Sequence, residues 1–305
     1  MGRRGRQLLK LTAALGAIGA AGVVYGVGIE RNAFTLRRMS VPILPAGRPA
    51  ITILHLSDIH LMDRQLWKTR WIAQLDELAP DFIVNTGDNL SEARALPRLA
   101  EALSPFEGIP GVFVFGSNDL FAPKPVNPLR YLRSASNHHD RPPLPNGALR
   151  QLLESFGWQD IEEARQQFTI NQTTFETRGT ADAHRDADDY AAVAGPPQAG
   201  SELLIGVTHA PYRRVLDAMI ADGDRLILAG HTHGGQVCLP NGRALVTNCD
   251  LPVELAKGLH QLPSSTTPVW LNVSAGLGTS PHAPYRFFCR PEASLLTLTA
   301  VDLTD

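Results

Sequence analysis

The chain has 305 residues, 28 basic and 30 acidic side chains, a formal net charge of -2, 44% hydrophobic and 19% charged residues. This composition is near the globular average, which excludes a disordered, collagenous or purely coiled-coil chain, and the length allows one large or two modest domains. The charge balance argues against nonspecific nucleic-acid binding, which needs a basic surface.

Cys238, Cys249 and Cys289 allow one bridge at most, and no C-x-x-C spacing suggests a cysteine zinc site. They read as ordinary semi-buried thiols.

Residues 1–10 form a basic segment with Arg3, Arg4, Arg6 and Lys10. Residues 11–29 follow with only Thr12 and Tyr25 as polar interruptions. At about 1.5 Å per residue such a helix spans roughly 28 Å, close to a bilayer core. The basic flank comes first, so this end is expected in the cytoplasm and the rest of the chain outside. The expectation is a transmembrane anchor. An export signal that is cleaved is the alternative, since Gly16 to Gly22 is rich in small residues. Residues 30–47, with Arg31, Arg37, Arg38 and the Pro- and Gly-containing run from Val41 to Pro49, read as a linker.

From residue 48 the pattern alternates. Apolar runs at 51–56, 81–86 and 111–115 predict buried strands, and 64–78 and 93–103 predict helices between them. Residues 120–200 break the rhythm with six prolines between Pro123 and Pro145 and read as a loop-rich insertion. That insertion holds two strand-like runs, 167–171 and 173–178. Further strands are predicted at 203–208, 225–229, 270–274 and 294–301, with a helix running to Ala221. A hairpin is predicted over 237–246 around Pro240-Asn241-Gly242. The strand-rich second half favours an α/β fold of two packed mixed sheets flanked by helices over one doubly wound sheet.

The polar residues fall at the ends of these strands. Asp58 and His60 follow the first, Asp88 and Asn89 the second, Ser117, Asn118 and Asp119 the third, His209 the fourth, and His231 and His233 the fifth. Each alone reads as a cap or a turn. Together, at strand ends that lie side by side, they suggest one site. Carboxylate, amide and imidazole donors without thiolate suit borderline and harder divalent ions, such as Mn, Fe, Zn or Co.

These blocks resemble the calcineurin-like metallophosphoesterases, whose pattern is D-x-H, G-D, G-N-H-D/E, H and G-H-x-H. The resemblance covers about residues 50 to 300 and looks most like the bacterial membrane-associated or exported branch. It implies a four-layer sandwich and two divalent metal ions (Mn, Zn or Fe). Asp58, His60 and His233 would hold the first ion, Asp88 would bridge, and Asn118, His209 and His231 would hold the second.

One block departs from the family, because Gly116-Ser117-Asn118-Asp119 lacks the histidine. Aligned on the glycine, Asn118 takes the catalytic position. Counted from the strand start, Asn118 is the ligand and Asp119 takes that position, which is the preferred register because it keeps an amide oxygen for the metal. His138, His139 or His184 are possible substitutes.

The resemblance implies hydrolysis of a phosphomonoester or phosphodiester by a hydroxide bridging two ions, at the outer face of the membrane. The substrate would be a lipid-linked, nucleotide or envelope phosphoester. A metal-binding receptor or scaffold without turnover is the second reading. A serine hydrolase lacks its G-x-S-x-G elbow and a P-loop enzyme its glycine loop.

Overall fold

The computed structural model describes residues 3–125, 141–265 and 267–301. His138 and His139 lie outside the described residues.

Two six-stranded mixed sheets form the body. The first runs β1 (Thr35–Leu44), β12 (Glu292–Ala300), β2 (Ile51–Leu56), β3 (Phe82–Asn85), β4 (Gly111–Phe113), β5 (Trp158–Asp160). The second runs β10 (Gly258–Leu262), β11 (Val269–Val273), β9 (Leu226–Ala229), β8 (Leu203–Thr208), β7 (Thr173–Thr180), β6 (Ala164–Ile170). β2 to β5 are mutually parallel, and so are β7, β8, β9 and β11.

Side chains on a strand alternate between faces, so a sheet covered on both sides needs apolar residues at every position. β2 and β3 do this. Ile51, Ile53, Phe82 and Val84 meet Ile205, Val207, Leu226 and Leu228 between the sheets. Leu54, Leu56 and Ile83 turn outward to the layer that holds Ile72, Leu99 and Leu103. Those residues belong to α2 (Leu66–Ala73) and α3 (Leu96–Leu103), and α5 (Asn146–Ser155) adds Leu149 and Leu153. On the far side α6 (Arg213–Ala221) packs Val215, Leu216 and Met219 on Ile227 and Leu271. The expected sandwich of two mixed sheets flanked by helices is therefore present.

Three local readings need correction. Residues 30–47 are not a linker, because β1 pairs in parallel with β12 over nearly its whole length. Pro42 reads as a strand breaker, but at a sheet edge its missing N–H costs no ladder bond, and the register shifts beside it. The stretch 120–200 is not only an insertion, since among its described residues β5, β6 and β7 complete the two sheets and α5 packs on the first. β6 is an antiparallel edge strand and stays polar on its exposed face, which hides it from a hydrophobicity pattern. The turn at Asn241-Gly242 exists, but it closes only an isolated bridge between Cys238 and Ala244.

α1 (Arg3–Val24) continues through a π turn, Tyr25–Ile29, and a 3-10 turn, Glu30–Asn32. The stretch Lys10–Asn32 is long and apolar enough to cross a membrane and only 6% of its most apolar window is buried, a description a signal sequence also meets. Its end is fastened to the body. The buried Glu30 carboxylate accepts the backbone N–H groups of Phe288 and Cys289, and Arg31 donates to the Pro284 carbonyl at 3.2 Å. Tyr25 packs edge-on against Phe287.

Candidate metal centre

The C-terminal ends of β2, β3, β8 and β9 and the turn after β4 lie at one edge of the two sheets. Asp58, His60, Asp88, His231 and His233 all adopt positive φ, between 44° and 67°. For residues with a Cβ this conformation is uncommon and costs about 1–3 kcal/mol each, and it clusters at functional sites. The surrounding bonds over-determine it. Asp58 N–H donates to Gly87 O, His60 N–H to Asp88 O, and His231 N–H to Asp58 Oδ2, each at 2.9 Å. Gly116 has to be a glycine, because a Cβ there would lie 2.6 Å from His209 Nε2 and closer still to Asp88 Oδ1.

Asp58, His60, Asp88 and His233 each offer a donor atom, all within 4.8 Å of one another. His60 Nε2 lies 3.2 Å from His233 Nε2 and 3.3 Å from Asp88 Oδ2, and His233 Nε2 lies 3.5 Å from Asp58 Oδ1. Asp58 Oδ1 and His60 Nδ1 are buried without a hydrogen-bond partner. Ring nitrogens and carboxylate oxygens turned on one point, with orphaned buried donors, fit a divalent cation.

Beside this cluster, His209 Nδ1 is held by the Thr86 carbonyl at 2.7 Å. That leaves Nε2, buried and unpartnered, 3.7 Å from Asp88 Oδ2. A backbone acceptor on one ring nitrogen that orients the other is how ligating histidines are commonly fixed. His231 packs edge-on against His209, and its Nε2 lies 3.3 Å from Asn248 O. Asn118 donates through its side-chain and backbone N–H groups to the two oxygens of Asp88. Turned over, its amide would present an oxygen there. Of the seven sequence-assigned residues, Asp58, His60, Asp88 and His233 bring donor atoms together, Asn118 and His209 lie against Asp88, and His231 lies against His209.

Asp119 does not fit its expected role. Its carboxylate is fully buried and accepts the backbone N–H groups of Asp88, Asn89 and Gly116 at 2.7–3.0 Å. It is a strut beneath the Asp88 loop and faces no substrate. Burial, then the Asp88 charge, pushes its pKa up to about 7 in the metal-free protein. Asp119→Ala leaves three buried donors unpaired, at about 1–3 kcal/mol each. Thermal unfolding should shift down sharply, and metal content measured after dialysis should fall with it.

The metal-free electrostatics also point to a cation. Burial lowers the pKa of His233 well below its usual value and that of His231 to about 4, with His60 and His209 adding to the effect, so both rings are neutral and ready to bind. Burial would lower His209 too, but Asp88, Asp182 and Asp58 outweigh it and raise the pKa to about 9. A raised folded-state pKa gives stability that is complete below about 6.5 and lost as pH rises through about 9. Metal binding has the opposite sign, because it must displace that proton. Calorimetric titration in buffers of different ionisation enthalpy should show proton release, with affinity rising from pH 6 to pH 9.

Further residues support the ligands without a clear sequence signal. Arg286 is fully buried and donates to the carbonyls of Ala275, Gly276 and Gly278 at 2.6–3.0 Å, and more loosely to that of His233. A relay runs from Asn272 through His55, Thr86 and Ser57 to Asp58 Oδ2 and ties the second sheet to the first. Arg141, beside two prolines, donates to Asn118 Oδ1 and the Phe121 carbonyl. His184, one of the three histidines considered as substitutes, packs tilted against His231 at 4.4 Å between ring centroids, with Nδ1 2.9 Å from the Tyr212 hydroxyl.

Two packed mixed sheets carrying carboxylates and imidazoles at one edge define an α/β sandwich with a candidate metal centre. The sequence profile of the calcineurin-like phosphoesterases matches residues 51–235, more than half of the chain, and the chain belongs to that family. It is similar to two Bacillus subtilis proteins. The uncharacterized protein YpbG is 26% identical over 280 residues, 90% of this chain and 88% of that one. The uncharacterized metallophosphoesterase YkuE is 25% identical over 332 residues, 97% of this chain and 98% of that one. The structure is also similar to the NAD nucleotidase of Haemophilus influenzae, with a TM-score of 0.48 and 14% identity over 75% of this chain and 46% of that one. The centre accordingly takes divalent metal.

Proposed function

We propose that this chain hydrolyses a phosphomonoester or phosphodiester at a binuclear centre on the outer face of a membrane, as a member of the membrane-associated or exported branch. The observation that carries this reading is the position of Asp88. Its Oδ2 faces His60 on one side and His209 on the other, as a bridging carboxylate requires. Asp58, His60 and His233 would hold one ion, and Asn118, His209 and His231 the other. Bound divalent ions would supply Lewis acidity toward the phosphoryl oxygens and a water acidified to near neutrality.

The chain's own groups do the rest. Asp58 and Asp88 offset only half of the charge on two divalent ions, so the site stays cationic and attracts an anionic ester. Arg141, half-buried at the rim, grips a phosphoryl oxygen through its guanidinium. His184, steadied by Tyr212 and His231, supplies the proton to the leaving oxygen in place of the family's histidine. His184→Ala should slow an alkyl phosphate ester by about 10²-fold while p-nitrophenyl esters, which leave without a proton, lose little. Equal losses on both would remove His184 from that role. The membrane helix favours a lipid-linked substrate over a soluble nucleotide.

Asn118 at the catalytic block supports the second reading, a metal-binding scaffold of this fold without turnover. The full chain in detergent, loaded with Mn or Zn, is assayed on bis-p-nitrophenyl phosphate and the monoester. Metal-dependent turnover supports the hydrolase. Two bound ions with no turnover on these esters or on phosphatidic acid would favour the scaffold.

A further inference from the structure

Two of the three cysteines lie directly behind the ligand loop. Cys238 and Cys289 are 4% and 2% exposed and share one small apolar cluster with Ala244, Ala256 and Ala275. Their thiols converge on one acceptor. Cys238 Sγ lies 3.2 Å and Cys289 Sγ 3.4 Å from the carbonyl oxygen of Gly234, and Cys289 Sγ is also 3.4 Å from that of His233. The backbones run side by side, with Val237 bridged to Phe287 and Cys238 N–H bonded to Phe287 O at 2.8 Å. Cys249 belongs to a different cluster, with Leu251 and Val269.

We propose that Cys238 and Cys289 form an intramolecular disulfide in the oxidised protein and that this bridge ties the His233-Gly234-Gly235 loop to the Arg286 loop. Nothing in the ligand set requires the cysteines, so the site is separate from the chemistry at Asp88. The oxidant is a small disulfide or an oxidised dithiol enzyme. One protein thiolate attacks a sulfur of that disulfide and expels a thiolate, and the second protein thiol attacks the mixed disulfide and expels the other. Two protein thiols are oxidised, one disulfide is reduced, and both protons end on the two thiols released. Access comes through residues 237–249, which hold only two isolated bridges and turns and so open more readily than the sheets. An extracytoplasmic location would keep the bridge formed.

The bridge alters the ligand loop in a defined way. The S–H groups that now meet the Gly234 and His233 carbonyls are lost, and a covalent link replaces them. His233 is then held from behind by Arg286 and by the bridge together, so a bound ion should leave more slowly.

The test uses the full chain in detergent, reduced or equilibrated with oxidised glutathione. The proposal expects free thiols, counted after unfolding, to fall from three to one. Peptide mapping under non-reducing conditions should join the peptides that contain Cys238 and Cys289. Oxidation should raise the unfolding temperature by roughly 5 °C or more. Chelator-induced release of zinc should be slower from the oxidised protein. Cys249→Ala should leave all of this intact, and Cys238→Ser should abolish it. Mapping of the wild-type chain needs no variant, so a Cys238→Ser chain that fails to fold does not blur the result. Three free thiols at equilibrium, a bridge that includes Cys249, or zinc release indifferent to oxidation would overturn the proposal.

Discussion

Asp88→Asn should reduce metal-dependent phosphoester hydrolysis by on the order of 10³-fold or more, the scale of losing one preorganised electrostatic group at a reacting centre. Asp88 is the meeting point of the site. One of its oxygens faces His60 and His209, and both receive N–H groups of Asn118. The amide keeps the shape and one acceptor oxygen but removes the charge that the two cations would share. The variant should fold, because Asp119 grips the backbone of residue 88 whatever side chain it carries. Metal analysis should show the ion on the His209 side lost or weakened first. An Asp88→Asn protein with wild-type turnover would place the chemistry elsewhere in the molecule.

The second large effect concerns the residues before the first predicted strand. A chain that starts at residue 48 should fail to give a stable monomer, while one that starts at residue 23 should fold. The shorter chain loses β1, whose Val41, Ile43 and Leu44 are at most 4% exposed. Burying each contributes about 1.5–3 kcal/mol, together about 5–9 kcal/mol, comparable with the whole stability of about 5–15 kcal/mol for a typical domain. It also bares the β12 edge along its parallel pairing and removes Glu30 from the Phe288 and Cys289 N–H groups. Those N–H groups sit next to Arg286, whose other end holds the His233, Gly276 and Gly278 carbonyls. Loss of the helix exit therefore reaches the ligand loops through a short chain of hydrogen bonds. Urea unfolding and zinc content of the two chains check this. Equal stability and equal zinc would show that β1 and Glu30 are dispensable.

The candidate ligands were legible because a parallel sheet imposes a simple grammar. A fully buried strand is a short apolar run, and whatever polar residue ends it stands at the sheet edge. Asp58, His60, Asp88, His209, His231 and His233 all follow such runs. β1 was not legible for the complementary reason. It is an edge strand with exposed Arg37 and Arg38 and an interior Pro42, and its burial comes from a partner far along the chain. β5, β6 and β10 sit at or beside sheet edges in the same way and are short or half exposed.

The supporting shell was harder still. Arg286 lies among Pro284, Tyr285 and Phe287, and nothing local says that its guanidinium is buried under carbonyls from another segment. Arg141 meets Asn118 only because the chain returns to the site after the segment that follows Pro125. Asp119 was misread because a carboxylate next to a metal-ligand block suggests chemistry, while the fold uses it to cap three backbone donors. Sequence spacing shows which residues reach an edge, but only the packing shows which way each side chain faces.

The most direct test is anomalous diffraction from crystals of the chain loaded with manganese or zinc. Two peaks roughly 3.5–4 Å apart are expected, with Asp88 between them. One should touch Asp58, His60 and His233, and the other Asn118, His209 and His231. A single peak at full occupancy, or ions bound away from Asp88, would contradict it.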